Sequence, residues 1–252
     1  MRENGQSQTL KAVVGLRSMI LDGELKPGTR VSELLLVDRL QVSRTPAAKA
    51  LIQLRHDGLL ESLPSGGFVV ATFSSLDIID GIELRGTLEG LAARLAAERG
   101  APPTILAQMQ DCVDRLDSFL RSFQRDSSVS DERSFQPDSS ASDEYARWND
   151  QFHNLLLQSC QSTIIQGSLQ RLMSLPFLEP NATVSRPLVA TRIPVLDPHH
   201  FLMANEQHRN IIEAIRNRES TRAAALTLEH ARSAWKVLRA AGLESLYTFC
   251  RP

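Results

Sequence analysis

The sequence predicts a mainly α protein in two parts: three helices and a small hairpin over residues 1–72, then an antiparallel all-helical bundle over 73–252. Three observations carry this. Strand chemistry is confined to LLESLPSGGFVV at 59–70, whereas from Ser74 onward long amphipathic runs take over, from LDIIDGIELRGTLEGLAARLAAE to TRAAALTLEHARSAWKVLRAA. A length of 252 residues, with 42% hydrophobic and 23% charged, suits two ordinary globular cores.

In the first part, Leu10, Val13, Val14, Leu16 and Ile20 recur at helical spacing until Gly23 and the turn Lys26-Pro27-Gly28. Ser32 is placed to cap a second helix carrying Leu34, Leu35, Leu36 and Leu40. Ser43 is placed to cap a third, in which Pro46 falls in the first turn, where no backbone hydrogen bond is lost. Its buried stripe is Ala47, Ala50, Leu51 and Leu54, and Gly58 ends it. Leu59 and Leu60, the turn Pro64-Ser65-Gly66-Gly67, and Phe68 to Val70 then form the hairpin. Three helices and a hairpin in this order describe a winged helix-turn-helix.

In the second part the runs continue through ILAQMQDCVDRLDSFL, YARWNDQFHNLLLQSC and ANEQHRNIIEAI. Residues 121–144 hold a tandem repeat: RSFQRDSSVSDE is followed by RSFQPDSSASDE, with ten of twelve positions identical. Its Ser and Asp content cannot build a core, so a flexible surface insertion is expected. Residues 175–200 carry five prolines and are expected to be irregular, with His199 and His200 in a loop.

Aromatics at 5% argue against a protein that stacks single-stranded bases on Phe and Tyr platforms. Residues 1–72 carry nine Lys/Arg against seven Asp/Glu, a charge of +2, while the rest carries nineteen against twenty-two, a charge of −3. So small an excess requires a few well-placed cations, and two copies of the reader, for duplex affinity. Cys112, Cys160 and Cys250 are odd in number with no CxxC, which points to a reducing compartment. With no basic-then-apolar leader and no run of eighteen apolar residues, a cytoplasmic protein without membrane contact is expected.

A helix that offers its N-terminus to the major groove needs short donors for phosphates and a long cation for guanine edges. Ser43, Arg44 and Thr45 supply that set: Arg44 can reach guanine O6 and N7, and Thr45 with the helix amides suits a phosphate. Arg30 lies before the second helix, within reach of the backbone, and Gly66-Gly67 at the wing tip allows close approach to the minor groove. With these residues in place, 10–72 resembles the GntR-type winged helix-turn-helix, on LKPGTRVSELLLVDRLQVSRTPAAKALIQLRHDGLLESLPSGGFVVA. The resemblance implies a homodimeric repressor or activator reading a short palindrome in double-stranded operator DNA. This chain has Ala48 where members commonly carry Arg, and Lys49 where they carry Glu, so Lys49 partly restores the lost charge and the operator should differ.

Three histidines in helical runs form the second constellation. Asn149 and His153 are four apart and project from one helix face, able to chelate one ion. His208 lies in a stripe with Met203, Ile211, Ile212 and Ile215, and His230 follows Ala223 and Leu226. One inward histidine is ordinarily a core residue; three suggest a metal site. Residues 73–248 resemble the all-helical effector domain of the FadR branch of GntR regulators, called FCD, and the 22-residue interval from His208 to His230 matches that family's spacing. The resemblance implies Asn149, His153, His208 and His230 as ligands of a divalent transition ion, zinc or nickel, since imidazoles favour borderline ions. Asn149 replaces the usual Asp, which leaves the ion's charge uncompensated and attractive to an anion. Asp150 projects about 100° away and is not expected to ligate.

Arg85 and Glu89 form an i,i+4 pair in ELRGTLEGLAARLAA, and the resemblance turns Arg85 inward, with Glu89, toward a carboxylate effector. A sugar acid, dicarboxylate or aromatic-degradation intermediate fits that chemistry. The function expected is a metabolite-responsive regulator, a repressor released by a small organic acid, rather than an enzyme. The alternative is a metal-dependent hydrolase or isomerase, because three histidines with an open position are also catalytic zinc geometry.

Overall fold

The computed structural model describes residues 2–127, 139–175, 178 and 198–240. The chain begins with α1 (Arg2–Leu21), β1 (Arg30–Val31), α2 (Glu33–Leu40) and α3 (Arg44–His56). Strands β2 (Leu60–Ser62) and β3 (Phe68–Val70) follow. Ser32 caps α2 by accepting from the Leu35 amide at 3.3 Å. Leu16, Ile20, Leu36, Ala47, Leu51, Leu54 and Val70 close one core beneath the three helices and the sheet.

The sheet is three-stranded and antiparallel in the order β1-β3-β2, with Arg30 opposite Val69 and Leu60 opposite Val70. The sequence reading gave only a hairpin. A two-residue strand has no periodicity to detect, and β1 exists because its backbone meets β3.

The second part comprises α4 (Ser75–Arg99), α5 (Pro103–Ser127), α6 (Ser139–Ser159), α7 (Thr163–Leu172), α8 (Pro198–Arg216) and α9 (Ser220–Ala240). A capping box opens α4: Asp77 N donates to Ser74 Oγ, while Asp77 accepts from the Ser74 amide. Antiparallel α4 and α9 meet at two glycines. A Cβ on Gly86 would lie 2.8 Å from Ala231 Cβ, and one on Gly90 would lie 2.9 Å from the Ala224 carbonyl. Only glycine permits this approach, and it sets Arg85 and Glu89 of α4 beside His230 of α9. Ala93, Ala97, Met109, Val113, Phe152, Leu156, Ile211, Ile215 and Ala223 fill the core that α4, α5, α6, α8 and α9 share.

Three sequence expectations change. Helix α5 runs to Ser127 and α6 starts at Ser139, so helix occupies both ends of the repeat expected to be a flexible insertion, and residues 128–138 lie outside the described ones. Residues 121–127 contain neither Pro nor Gly, and nothing local stops the preceding helix. His199 and His200 belong to the first turn of α8 rather than a loop, because Pro198 takes the first helical position, where its missing N–H costs nothing. Met203, expected in the stripe of His208, is 65% exposed. Five residues apart on a helix, at about 100° each, the two side chains point away from each other. Helix α7 was not singled out from sequence; Ser162 caps it by accepting from the Ile165 amide. The remaining residues of the proline-bearing stretch, 176–177 and 179–197, lie outside the described residues.

Candidate functional site

Ser43, Arg44, Thr45 and Lys49 are all exposed at the N-terminal end of α3, with Thr45 and Lys49 one turn apart. Ser43 occupies the N-cap position but makes no side-chain capping bond, contrary to the capping role expected of it. Its hydroxyl is thus not taken up by the helix it precedes. Arg30 is exposed on β1, and Gly66 and Gly67 form the exposed wing tip, both at φ +87°. A Cβ at either glycine would meet nothing within 4 Å, so backbone conformation, not crowding, selects glycine there. These residues present the N-terminus of a helix beside a wing, the arrangement a groove-reading surface needs.

The helical part gathers its polar residues in one buried place. The Nε2 atoms of His208 and His230 stand 3.1 Å apart, and those of His230 and His153 stand 3.4 Å apart. Three helices contribute, α6, α8 and α9, and each ring is nearly inaccessible to solvent. Phe152 stacks on His208 with centroids 3.9 Å apart, fixing that ring in the core.

Neighbours on the outer nitrogens orient two of the rings. His230 Nδ1 is 2.9 Å from Gln207 Oε1, while Ser233 Oγ, 3.3 Å from the same oxygen, donates to the His230 carbonyl at 2.6 Å. Because a carboxamide oxygen only accepts, His230 carries its proton on Nδ1 and turns the Nε2 lone pair inward. His153 Nδ1 faces Glu89 Oε1 at 3.4 Å, so a carboxylate backs the second imidazole. Burial holds His230 down to about 3, with His153 adding to the effect, and burial holds His208 well below the usual imidazole range. His208 and His230 are therefore neutral, and inward lone pairs on neutral imidazoles are the donor set a borderline divalent cation takes. His153, His208 and His230 form a buried three-histidine cluster that could hold a metal ion.

Asn149 is buried one turn before His153 on α6, while Asp150 is exposed. Arg85 and Glu89 are both buried on α4, with Nε and Oε1 3.5 Å apart. Burial would raise the Glu89 carboxyl, but Arg85 first and then His153 outweigh it and hold it at about 2. Glu89 thus stands as a carboxylate between Arg85 and His153. Arg85 Nη1 donates to the Leu178 carbonyl at 3.1 Å, while its Nε and both Glu89 oxygens lack a hydrogen bond within the normal geometry.

Sequence reasoning missed Gln207, Ser233 and Leu178. Gln207 neighbours His208 but faces His230, and the Leu178 contact is made by a backbone carbonyl, which no residue type signals.

Residues 9–70 match the bacterial regulatory proteins of the gntR family, and residues 80–233 match the FCD domain. The chain belongs to the GntR family, in its FCD-bearing branch. An HTH-type transcriptional regulator of Mycobacterium tuberculosis is 32% identical over 123 residues, covering 49% of this chain and 47% of that protein. The regulator YdhC of Bacillus subtilis is 25% identical over 160 residues, 64% of each chain. The chain therefore spans about half to two thirds of the length of these curated relatives. Among solved structures, Escherichia coli McbR/YncC superposes with a TM-score of 0.62 at 18% identity, covering 92% of this chain and 97% of that one, which shows the GntR/FCD fold. The relatives are regulators, and none supports the hydrolase or isomerase alternative. Among the described residues, no helix of this GntR protein is long and apolar enough to cross a membrane.

Proposed function

We propose that this chain is a metabolite-responsive transcriptional regulator that binds operator DNA as a homodimer and is released by a small organic acid. The observation that carries the reading is the convergence of the Nε2 atoms of His153, His208 and His230 beside a buried Arg85. Those histidines, with Asn149 one turn away, would hold a divalent transition ion, zinc or nickel before magnesium. Such an ion supplies positive charge and an open position for a carboxylate. Arg85 adds a guanidinium suited to the same anion, and Glu89 holds both Arg85 and His153 in place rather than touching an effector. That reassigns Glu89 from the effector contact expected of it, because a carboxylate at 3.4 Å from His153 and 3.5 Å from Arg85 repels an anion. In the reader, Arg44 contacts guanine, Ser43, Thr45, Lys49 and Arg30 contact phosphates, and Gly66-Gly67 lets the wing approach the minor groove.

Calorimetric titration of the full chain with zinc and with nickel tests the metal reading. One ion per chain is expected, with affinity at least tenfold weaker in His208→Ala; an affinity unchanged by that substitution overturns it. Mobility shifts on the DNA flanking its own gene, with and without candidate acids, test the rest. Failure of every acid to change binding overturns the release step.

A further inference from the structure

Among the described residues, Arg85 and Glu89 are the only buried Arg, Lys, Asp or Glu side chains, and they face each other, Nε to Oε1, at 3.5 Å. Their charges cancel. Glu89 stands on the Nδ1 side of His153, 3.4 Å away, and no carboxylate of the described residues joins the Nε2 atoms of His153, His208 and His230. Asn149, buried one turn before His153, is a neutral carboxamide, and Asp150 beside it is exposed. An imidazole that ligates a cation does so in its neutral form. Three imidazoles, a carboxamide and a self-cancelling ion pair therefore set nothing against the two positive charges of a divalent ion. The surroundings are apolar: Phe152 stacks on His208 with centroids 3.9 Å apart, and Phe152, Ile211 and Ile212 are fully buried. Uncompensated charge is far more costly there than at the surface. The balancing negative charge has to come from solution.

We propose that this chain takes up its metal ion together with a dicarboxylate, and that the uncharged Asn149 sets this preference for a doubly charged acid. This rests on the reading of the three histidines as a metal site, and it narrows the small organic acid of that reading to one class. A dicarboxylate brings both negative charges in one molecule and leaves the loaded site neutral. A monocarboxylate, such as a sugar acid or a simple aromatic acid, leaves one positive charge unbalanced in the core. Each partner strengthens the binding of the other by the same factor, as two ligands coupled through one protein must. The ion is held firmly where the acid is present, and the acid is sensed only where the ion is available.

Competition with a chromophoric chelator reads the zinc affinity of the full chain with no acid, with acetate and with malonate. The chelator buffer fixes free zinc, so zinc held by the acid in solution does not enter the result. Malonate should raise the affinity at least about tenfold and acetate less than about threefold, a coupling of ordinary size between two ligands. Calorimetric titration with malonate should show the same factor between zinc-loaded and zinc-free protein. Asn149→Asp adds a negative charge at nearly equal volume. It should bind zinc more tightly without acid, and malonate should lose its advantage over acetate. Glu89→Gln removes a negative charge, so the ratio of zinc affinities with and without malonate should rise above that of the wild type. That variant carries the test if the aspartate variant does not fold. Acetate as effective as malonate, or a zinc affinity that ignores both acids, overturns the proposal and leaves the metal reading standing. Absence of zinc uptake under all three conditions overturns the metal reading as well.

Discussion

Nδ1 of His230 and Oε1 of Gln207 lie 2.9 Å apart, so a carboxamide with no charge of its own decides which nitrogen of a buried imidazole faces the other two histidines. Gln207→Leu removes that acceptor at similar volume. Zinc affinity should fall about 10–100-fold, as for the loss of other partners that orient ligands, while Gln207→Glu, which keeps an acceptor, should retain binding. Competition with a chromophoric chelator reads both; an unchanged affinity in the leucine variant would show that His230 is oriented by packing alone.

Two glycine substitutions should differ in sign. Gly90→Ala places a Cβ 2.9 Å from a backbone carbonyl of α9, which cannot give way as a side-chain tip can. The overpacking cost of about 1–3 kcal/mol should exceed the helix-propensity gain of about 1 kcal/mol. Gly167→Ala meets only Arg171 Nη1 at 3.8 Å, so there the propensity gain stands alone. Urea midpoints should fall for the first and rise slightly for the second.

Arg44→Ala should lower operator affinity by about 1–3 kcal/mol per half-site without changing zinc binding, because Arg44 is exposed on α3 and contributes to no core. Mobility shifts on the same DNA check this, and an affinity equal to wild type removes Arg44 from the reading surface.

Burial, and next the neighbouring Asp111, push the Cys112 thiol up to about 11. A raised thiol pKa means less thiolate at neutral pH, so at pH 8 only about one Cys112 in a thousand is ionised. Alkylation of the native protein by iodoacetamide at pH 8 should leave Cys112 unmodified and label it after denaturation. Labelling should rise with pH toward 11. Rapid native labelling at pH 8 would show that the core around Cys112 opens.

The sequence by itself determined the three-helix reader with its wing, the helical character of the second part, and the faces carrying His153, His208 and His230. Each of these is periodic or local. Ser32, Pro46 and Ser74 act on residues within one turn, and spacing along a helix decides which side chains share a face. Only the tertiary structure decided what those faces meet. The short strand β1 depends on a partner distant in sequence. The approach of α4 to α9 depends on what lies opposite Gly86 and Gly90. Glu89 reads from sequence as the i,i+4 partner of Arg85, and only the packing of α6 against α4 adds His153 to it. The hold of Leu178 on Arg85 runs through a carbonyl that every residue possesses. Periodicity sets the direction of a side chain about its own axis; the neighbour it finds is set by how separate helices stack, and that is a property of the whole core.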